Sequence, residues 1–354
     1  MRSTPAVLVA VLAVVSCNPS KESPQPAPSA SASAAPAFDP KVLAVFQPLP
    51  KSADGPTPAS PERVALGKML YFETRLSKNH DLSCNSCHHL DAFGADETPT
   101  SRGHAGQLGS RNAPTVLNAA IEFRQFWDGR AADVEEQATG PMMNPVEMAS
   151  DDKRVLATLS SMPEYVAAFK AAFPGDKDSI TLKNVGVAIG AYERKLLTPS
   201  RFDAYLNGDH KALTDAELAG AAKFVQTGCT TCHLGPGVGG SLYQKAGLVK
   251  PWPNQKDQGR YEVTKQDADR MMFKVPSLRN VEKTAPYFHD GSTATLQEAV
   301  RIMARHQLGK ELADSDVESI VTFLKTLTAS PTAELVAPVT LPKSTATTPK
   351  PEAK

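Results

Sequence analysis

Apolar residues recur at helical spacing through much of this chain, and each such stretch follows a helix-start signal. Residues 214–217 and 295–298 form capping boxes, in which the first and fourth side chains pair with each other's backbone amides. Further helix starts are expected at 60–62 and 315–318, and a closing helix of the first half at about 181–197. No sustained alternation of apolar and polar residues competes with this pattern, so an all-α fold is predicted.

The helical signals recur in the same order in the two halves of the chain. Each half has a helix, a short cysteine-containing motif, an irregular loop and a closing helix. About 290 residues lie between the low-complexity ends, which is enough for two ordinary domains. We therefore predict an N-terminal domain over residues 41–199 and a C-terminal domain over residues 200–329.

The two ends of the chain differ in composition from this helical part. An apolar run over residues 6–15 has the length of a signal-peptide core and is too short for a bilayer, which takes about 20 residues. It leads to Cys17 in a sequence that resembles a bacterial lipobox. Residues 1–17 thus predict export with acylation of Cys17, and ordinary cleavage is the alternative. Residues 18–40 and 330–354, rich in small and polar residues, are predicted to be a disordered tether and a disordered tail.

Cysteine usage supplies the first chemical signal. The pattern C-x-x-C-H occurs at residues 84–88 and 229–233, and it is the attachment signature of a c-type haem. A zinc site is excluded because its cysteine pairs usually lie about 15–20 residues apart, whereas these lie more than a hundred residues apart. Each domain is therefore predicted to be a class I cytochrome c-like domain with one covalent haem c. The residues assigned to the haems are Cys84, Cys87, His88, Cys229, Cys232 and His233, the two histidines being iron ligands.

The second axial ligand of each haem sets its potential and reactivity. A methionine raises the potential, and an open or displaceable position permits peroxide chemistry. His104 lies in a glycine-flanked loop and is a candidate ligand, although a surface position is as ordinary a place for it. Met303 falls on the apolar face of a predicted helix, where it could be a ligand or a core residue.

Several ordered motifs between residues 55 and 328 resemble those of the bacterial di-haem cytochrome c peroxidases, whose wider group includes the methylamine-utilisation enzyme MauG. They are interleaved with the two haem motifs in the family's order. The matching segments are R-N-A-P-T at 111–115, F-W-D-G-R at 126–130, Q-A-T-G-P at 137–141, N-P-V-E-M at 144–148, F-K-V-P-S-L-R-N at 273–280 and T-A-P-Y-F-H-D-G at 284–291.

For the N-terminal haem the resemblance implies the peroxidatic site. His104 is implied as its distal, displaceable ligand, and Glu147 as the acid/base that moves the peroxide proton. A carboxylate can both accept and return a proton if its pKa is raised toward the working pH. Gln137 is implied to orient peroxide or water, and Trp127 to be the electron bridge between the haems.

For the C-terminal haem the resemblance implies the electron entry site, at higher potential, with Met303 as axial ligand; Met271 and Met272 remain a minor alternative. Reduction of this haem is expected to release His104 from the other iron, which is a ligand switch linked to redox state.

The resemblance also implies a calcium ion between the domains. Its ligands would be the side-chain oxygen of Asn112 and the backbone carbonyls of Thr284 and Pro286. Calcium prefers such oxygen-only sets. An ion in this place would couple the conformations of the two domains.

These expectations describe a periplasmic, lipid-anchored peroxidase that reduces hydrogen peroxide to water with electrons from a small cytochrome c or cupredoxin. A homodimer is a further implication of the resemblance. Two alternatives stay open. One is a MauG-like enzyme that oxidises a partner protein, against which Met303 argues because that group carries tyrosine there. The other is a non-catalytic electron-transfer cytochrome. With 38 basic and 38 acidic residues and no long basic run, nucleic acid is not expected as a partner.

Overall fold

Side-chain caps start the main helices where the sequence places them. Ser60 accepts a hydrogen bond at 3.2 Å from the backbone amide three residues on. Thr214 and Thr295 cap two later helices in the same way, each at 3.3 Å, which confirms these helix starts. The reciprocal bond of a capping box forms at residues 214–217, where the amide of Thr214 donates to Glu217 at 2.8 Å, and the described structure has no such bond from Thr295 to Glu298. The last long helix differs, because it begins at Asp314 rather than after Ser315. Its first turn then holds two aspartates, which suit the positive end of the helix dipole.

The computed structural model describes residues 1, 5–10, 12, 40–55 and 58–352. The α-helices in these ranges are α1 (Pro61–Tyr71), α2 (Val134–Met143), α3 (Asp152–Ser160), α4 (Pro163–Ala172), α5 (Leu182–Glu193), α6 (Arg201–Leu206), α7 (Asp215–Thr227), α8 (Tyr261–Thr264), α9 (Leu296–Leu308), α10 (Asp314–Lys325) and α11 (Ala333–Val336). Short 3-10 turns lie at Pro40–Leu43, Thr74–Leu76, Cys84–Ser86, Leu90–Ala92, His104–Gly106, Ala119–Ile121, Cys229–Thr231, Asp267–Asp269 and Val281–Lys283. Strands β1 (Tyr243–Lys245) and β2 (Met272–Lys274) pair antiparallel, with Tyr243 opposite Lys274. The described part is thus helical, with one small sheet that the sequence pattern did not indicate.

The N-terminal helices pack around α1 and α5. Leu66 of α1 lies in one buried cluster with Val185 and Ile189 of α5, and α2, α3 and α4 contribute to the same cluster. Gly67 permits the close approach, because a Cβ there would lie 1.8 Å from the carbonyl oxygen of Ala188. This packing fixes α5 against the helix that precedes the first C-x-x-C-H motif.

A second core forms around α7 and α10. The rings of Phe224 and Phe323 pack with their centroids 5.4 Å apart. Gly220 of α7 allows the contact, since a Cβ there would lie 2.1 Å from the carbonyl oxygen of Ser319. Because α7 leads directly into the second motif, this contact also places Cys229.

Residues 40–49 depart from the predicted domain boundaries. Leu43 and Phe46 are buried in the C-terminal core, and the ring centroid of Phe46 lies 5.4 Å from that of Phe202. The amide of Gly235 donates to the carbonyl oxygen of Val45 at 3.0 Å. Burial among the C-terminal aromatic rings removes these two large apolar side chains from water, which explains why the segment packs on the C-terminal core.

Residues 330–352, here called the C-terminal strap, differ from the disordered tail that composition predicts. The hydroxyl of Tyr192 donates to the carbonyl of Leu335 at 2.5 Å, and the guanidinium of Arg75 donates to the carbonyl of Pro342 at 2.8 Å. Farther along, Arg154 pairs with Glu352 at 2.8 Å. Low apolar content shows only that a segment cannot build its own core. It does not prevent the backbone carbonyls of that segment from accepting hydrogen bonds on the N-terminal half.

Residues 1–37 form a unit separate from residues 38–354. Cys17, most of the predicted signal peptide and the predicted tether up to residue 39 lie outside the described residues. Within the described ranges, no helix is long and apolar enough to cross a membrane.

Candidate active site

The first C-x-x-C-H motif begins on the 3-10 turn Cys84–Ser86. The hydroxyl of the buried Tyr71 donates to the backbone carbonyl of His88 at 2.7 Å. Burial lowers the pKa of His88, so its imidazole is neutral at neutral pH and keeps a lone pair for a metal. Cys84 and Cys87 are free thiols. These donors fit covalent attachment of a haem c with His88 as an axial ligand.

The second motif repeats this arrangement after α7. Gly228 ends that helix with φ +100°, a left-handed conformation that favours glycine. The Nδ1 of His233 lies 3.2 Å from the carbonyl oxygen of Val238, and an N–H donated there leaves Nε2 free to ligate iron. Burial lowers the pKa of His233 to about 4. Cys229 and Cys232 are free thiols, so this donor set also fits a haem c.

A cavity of about 240 Å³ adjoins the first motif. Gln137 of α2 and Glu147 of the loop after it line this N-terminal cavity, as does Trp127. The structure therefore gathers the three predicted catalytic side chains around the cavity that holds Cys84, Cys87 and His88.

Glu147 is held by its own loop. The side-chain amide of Asn144 donates to Oε1 of Glu147 at 2.7 Å, and no described residue donates to Oε2. Burial raises the pKa of Glu147, while the hydrogen bond from Asn144 and the charge of Arg130 act in the opposite direction. A carboxyl group with one free oxygen and a raised pKa is suited to accepting and returning a proton.

His104 is not among the residues that line either cavity. Its backbone amide donates to the carbonyls of Val146 (3.1 Å) and Glu147 (2.6 Å), which fastens the 103–107 loop to the Glu147 loop. The Nδ1 of His104 is buried and has no hydrogen-bond partner among the described residues. The structure thus brings His104 to the backbone of the candidate acid/base without placing its ring in the cavity wall.

A second cavity, of about 260 Å³, adjoins the second motif. Met303 of α9 lines it together with His233. Met271 and Met272 do not line it, so Met303 is the methionine of the described chain that shares this C-terminal cavity with the histidine.

Trp127 belongs to a wall that the two cavities share, because it lines both of them. Its indole Nε1 donates to the carbonyl of Asn112 at 2.9 Å, which fixes the ring plane. On the C-terminal side its ring lies edge-on to His289, with centroids 6.3 Å apart. The structure therefore places one aromatic ring next to both cavities.

The candidate calcium ligands lie at this wall, and Asn112 lines the N-terminal cavity as well as the C-terminal one. Asn112, Thr284 and Pro286 line the C-terminal cavity, and the amide of Asn112 donates to the carbonyl of His289 at 2.8 Å. The side-chain amide nitrogen of Asn112 donates to the carbonyl of Thr98 at 2.9 Å. Its Oδ1 and the carbonyls of residues 284 and 286 accept no hydrogen bond from a described residue. Oxygen is the donor type that a hard cation prefers.

A helical frame with two thiol–histidine cavities on either side of a tryptophan defines a c-type haem redox enzyme. The family model for the di-haem cytochrome c peroxidases matches residues 61–211. The chain is 47% identical to cytochrome c551 peroxidase of Pseudomonas aeruginosa, over 90% of this chain and 93% of that protein. It is 48% identical to cytochrome c551 peroxidase of Nitrosomonas europaea, over 81% and 86%. A solved MauG-like protein associated with microbial copper homeostasis superposes with a TM-score of 0.71 at 28% identity, covering 86% of this chain and 98% of that one.

The chain belongs to the di-haem cytochrome c peroxidase family. Its activity is that of a cytochrome c peroxidase, an oxidoreductase with haem c as cofactor.

Three cavity-lining residues were not singled out from the sequence. Arg130 stacks its guanidinium on Phe126 at 3.5 Å, and Asn144 holds Glu147. Both residues lie inside the family motifs at 126–130 and 144–148, so these motifs could have identified them. Glu193, a nearly fully buried carboxyl at the end of α5, lies in an otherwise ordinary helical stretch that carried none.

Proposed function

We propose that each cavity holds one covalent haem c, that hydrogen peroxide is reduced to water in the N-terminal cavity, and that electrons are supplied through the C-terminal cavity. The observation that carries this division is the position of Glu147. It gives the N-terminal cavity a carboxyl group whose only hydrogen bond from a described side chain comes from the amide of Asn144. The haem, when bound there, supplies the iron at which the O–O bond is cleaved.

Glu147 performs the proton chemistry. Peroxide binding requires the loss of one proton, which Oε2 is free to accept because Asn144 occupies Oε1. Cleavage requires a proton on the departing oxygen, and the same carboxyl group returns it. In all, one peroxide takes up two electrons and two protons and gives two waters. Gln137, which lines the same cavity, would orient the peroxide by hydrogen bonding.

Trp127 carries electrons between the cavities in this proposal, since it lines both. Met303 would help to hold the iron of the C-terminal haem together with His233, and a methionine ligand would raise its potential. The donor is a small cytochrome c or cupredoxin. A methionine at this position disfavours the MauG-like alternative, in which a tyrosine occupies it.

His104 is proposed to act as a gate. In the oxidised protein its ring would ligate the N-terminal iron, and reduction of the other haem would release it. The buried, unpartnered Nδ1 and the attachment of its loop to the Glu147 backbone support a segment with two alternative arrangements. A calcium ion on Asn112, Thr284 and Pro286 would link the two halves during this change. Periplasmic location, acylation of Cys17 and a homodimer complete the proposal, resting on residues 1–17 and on the family.

Steady-state peroxide consumption by the holoprotein tests this function. A reduced small cytochrome c and, separately, a reduced cupredoxin would serve as donors, with and without pre-reduction and calcium. We expect turnover with at least one donor and faster turnover after pre-reduction. Turnover that needs no reduced donor would contradict the proposed route.

The gate has its own test. His104→Gly removes the imidazole, so the oxidised variant should turn over without pre-reduction at the rate of the pre-reduced wild type. The measurement is the initial rate after mixing oxidised protein with peroxide and reduced donor. If oxidised wild-type protein already works at its full rate, His104 does not gate the site.

A further inference from the structure

Glu193 is a second carboxyl in the wall of the N-terminal cavity. It is the last residue of α5, its exposed fraction is 4%, and it lines the cavity together with Cys84 and His88. No described residue donates a hydrogen bond to its carboxyl group or forms an ion pair with it. Its carboxyl oxygens are not among the fully buried polar atoms of the described chain, so they are open to the cavity, where desolvation of the charged form is costly. A group kept in this state therefore points to a partner or a role inside the cavity.

The surroundings of Glu193 favour its protonated form. The charge of Glu135 on α2 acts on Glu193, and Arg194 binds Glu135 through two hydrogen bonds of 2.7 and 2.8 Å. Because both of these hydrogen bonds go to Glu135, Arg194 stabilises the carboxylate of Glu193 through its charge and not through a hydrogen bond. The carbonyl end of α5 adds a negative dipole at the same place. Burial and the charge of Glu135 raise the pKa of Glu193 to about 8, with Arg194 opposing.

The other ionisable groups near Glu193 are neutral at neutral pH. They are Tyr71 of α1, Tyr192 of α5 and the Cys84 thiol, which becomes a thioether on haem attachment. The hydroxyl of Tyr192 donates its hydrogen bond to the carbonyl of Leu335 in the strap and not to Glu193. The aliphatic side chains of Leu335 and Val336 pack on the same cluster as both tyrosines. The environment of Glu193 is therefore apolar and closed on this side.

Glu193 and Glu147 occupy different parts of the cavity. Glu147 acts electrostatically on Cys87 and Glu193 on Cys84, the two cysteines at opposite ends of the attachment turn. Glu147 has the hydrogen bond from Asn144 that orients it for substrate, whereas Glu193 has no such bond. Glu147 therefore already serves as the acid/base for the substrate, and this role does not account for the presence of Glu193.

We propose that Glu193 is the redox-linked proton site of the N-terminal haem: its carboxyl group holds a proton while that haem is reduced and releases it when the haem is oxidised. This inference rests on the proposed function in that it takes a haem to be attached at Cys84. The step balances, because loss of one electron from the haem to peroxide raises the positive charge of the cavity and loss of one proton from Glu193 restores it. The O–H bond of the carboxyl breaks and the proton passes into the cavity. Peroxide reduction takes up one proton for each electron, so the released proton meets a demand of the same reaction.

Potentiometric titration of the holoprotein, followed by the absorption of both haems, tests the proposal. The titration is repeated across a pH range that brackets the Glu193 pKa of about 8. One pH unit is a tenfold change in proton concentration, which for a one-electron couple is about 59 mV. In wild type the N-terminal haem potential should fall by up to that amount per pH unit within part of the range. In Glu193→Gln, of nearly the same shape, this slope should be lost, while Glu193→Asp should retain it.

The C-terminal haem provides the internal control, because Glu193 does not line its cavity and its potential should be the same in all variants. Glu147→Gln should keep the slope of the N-terminal haem, which separates the two carboxyl groups. An equal slope in wild type and Glu193→Gln overturns the inference, and so does a wild-type potential that is independent of pH.

A measurement on wild type alone covers the case in which Glu193→Gln fails to fold. The infrared difference spectrum between reduced and oxidised holoprotein should show loss of a protonated carboxyl C=O stretch on oxidation. Absence of any carboxyl change overturns the proposal without a variant. Peroxide turnover without a pH-dependent potential would refute the proton site and leave the peroxidase function standing. A pH-dependent potential without peroxide turnover would support the proton site and refute the peroxidase function.

Discussion

In the C-terminal cavity, the charged side chains of the described wall are all paired. Glu122 forms an ion pair with Lys274, and Arg279 forms one with Asp203. In the N-terminal cavity, by contrast, Glu147 is held only by an amide. Burial raises its pKa, whereas a buried carboxylate with a cation beside it stays ionised.

The contrast separates two kinds of redox site built on one attachment motif. Paired charges keep a fixed charge state, which suits the electron supply that we propose for the C-terminal cavity. The carboxyls of the N-terminal cavity are free to change protonation state, which the reduction of peroxide requires. Under the proposed function, the same five-residue motif serves both purposes, and the residues around it decide between them.

The sharpest test of this contrast is Glu147→Gln. An amide cannot take the peroxide proton and return it, so we expect peroxide turnover to fall by about 10²–10⁴-fold. Both haems should keep their absorption spectra. Steady-state peroxide consumption with a reduced donor is the measurement. Glu164→Gln, an exposed glutamate in the first turn of α4, is the matched control and should retain full activity. Wild-type turnover by Glu147→Gln would remove the catalytic role.

The acid side of the pH profile gives a second test of Glu147. Its pKa lies above the ordinary value of 4.5 because it is buried. The carboxylate is the form that accepts the peroxide proton, so kcat/KM should decline as pH falls through this raised pKa, and the decline should begin above the pH at which an exposed glutamate protonates. Initial rates at low peroxide concentration report kcat/KM. If kcat/KM stays constant down to the pH at which an exposed glutamate protonates, Glu147 is not the base.

The attachment motifs and the helix caps could be predicted from sequence because each depends on residues a few positions apart. Thr214 and the amide three residues on are close in any helix that starts there. The pairing state of Glu193 could not be predicted in this way, since it depends on Arg194 turning to Glu135, 59 positions away. Likewise, the local sequence around Phe46 does not indicate that its ring is buried in the C-terminal core. Local patterns therefore identify the chemistry, and long-range packing decides which groups are left without a partner.

Trp127→Phe tests whether the two unlike cavities communicate through their common wall. Phenylalanine keeps an aromatic ring but loses the Nε1–H that donates to the Asn112 carbonyl at 2.9 Å. We expect electron transfer from the C-terminal to the N-terminal haem to slow by about tenfold, which corresponds to about 1.4 kcal/mol in the barrier. Stopped-flow absorption after mixing pre-reduced protein with peroxide measures this rate.

The chain offers a matched control for this change in its other tryptophan. Trp252 is buried and lines only the C-terminal cavity, so Trp252→Phe should leave the rate between the haems unchanged. Equal slowing in both variants would mean that the effect is one of general packing. An unchanged rate in Trp127→Phe would show that the ring's hydrogen bond is not needed for electron transfer.

The strap provides the mildest test, because it covers one half only. Removing residues 330–354 eliminates the hydrogen bonds from Tyr192 to Leu335 and from Arg75 to Pro342, along with the ion pair of Arg154 with Glu352. Hydrogen bonds contribute about 1 kcal/mol each, so we expect the N-terminal half to lose about 2–4 kcal/mol of stability. Hydrogen exchange should quicken in α1 and α5 and stay unchanged in α7 and α10, whose core the strap does not enter. If α7 and α10 lose protection to the same extent, the two halves unfold as one unit, and the unlike cavities are held in a single cooperative structure rather than in separable ones.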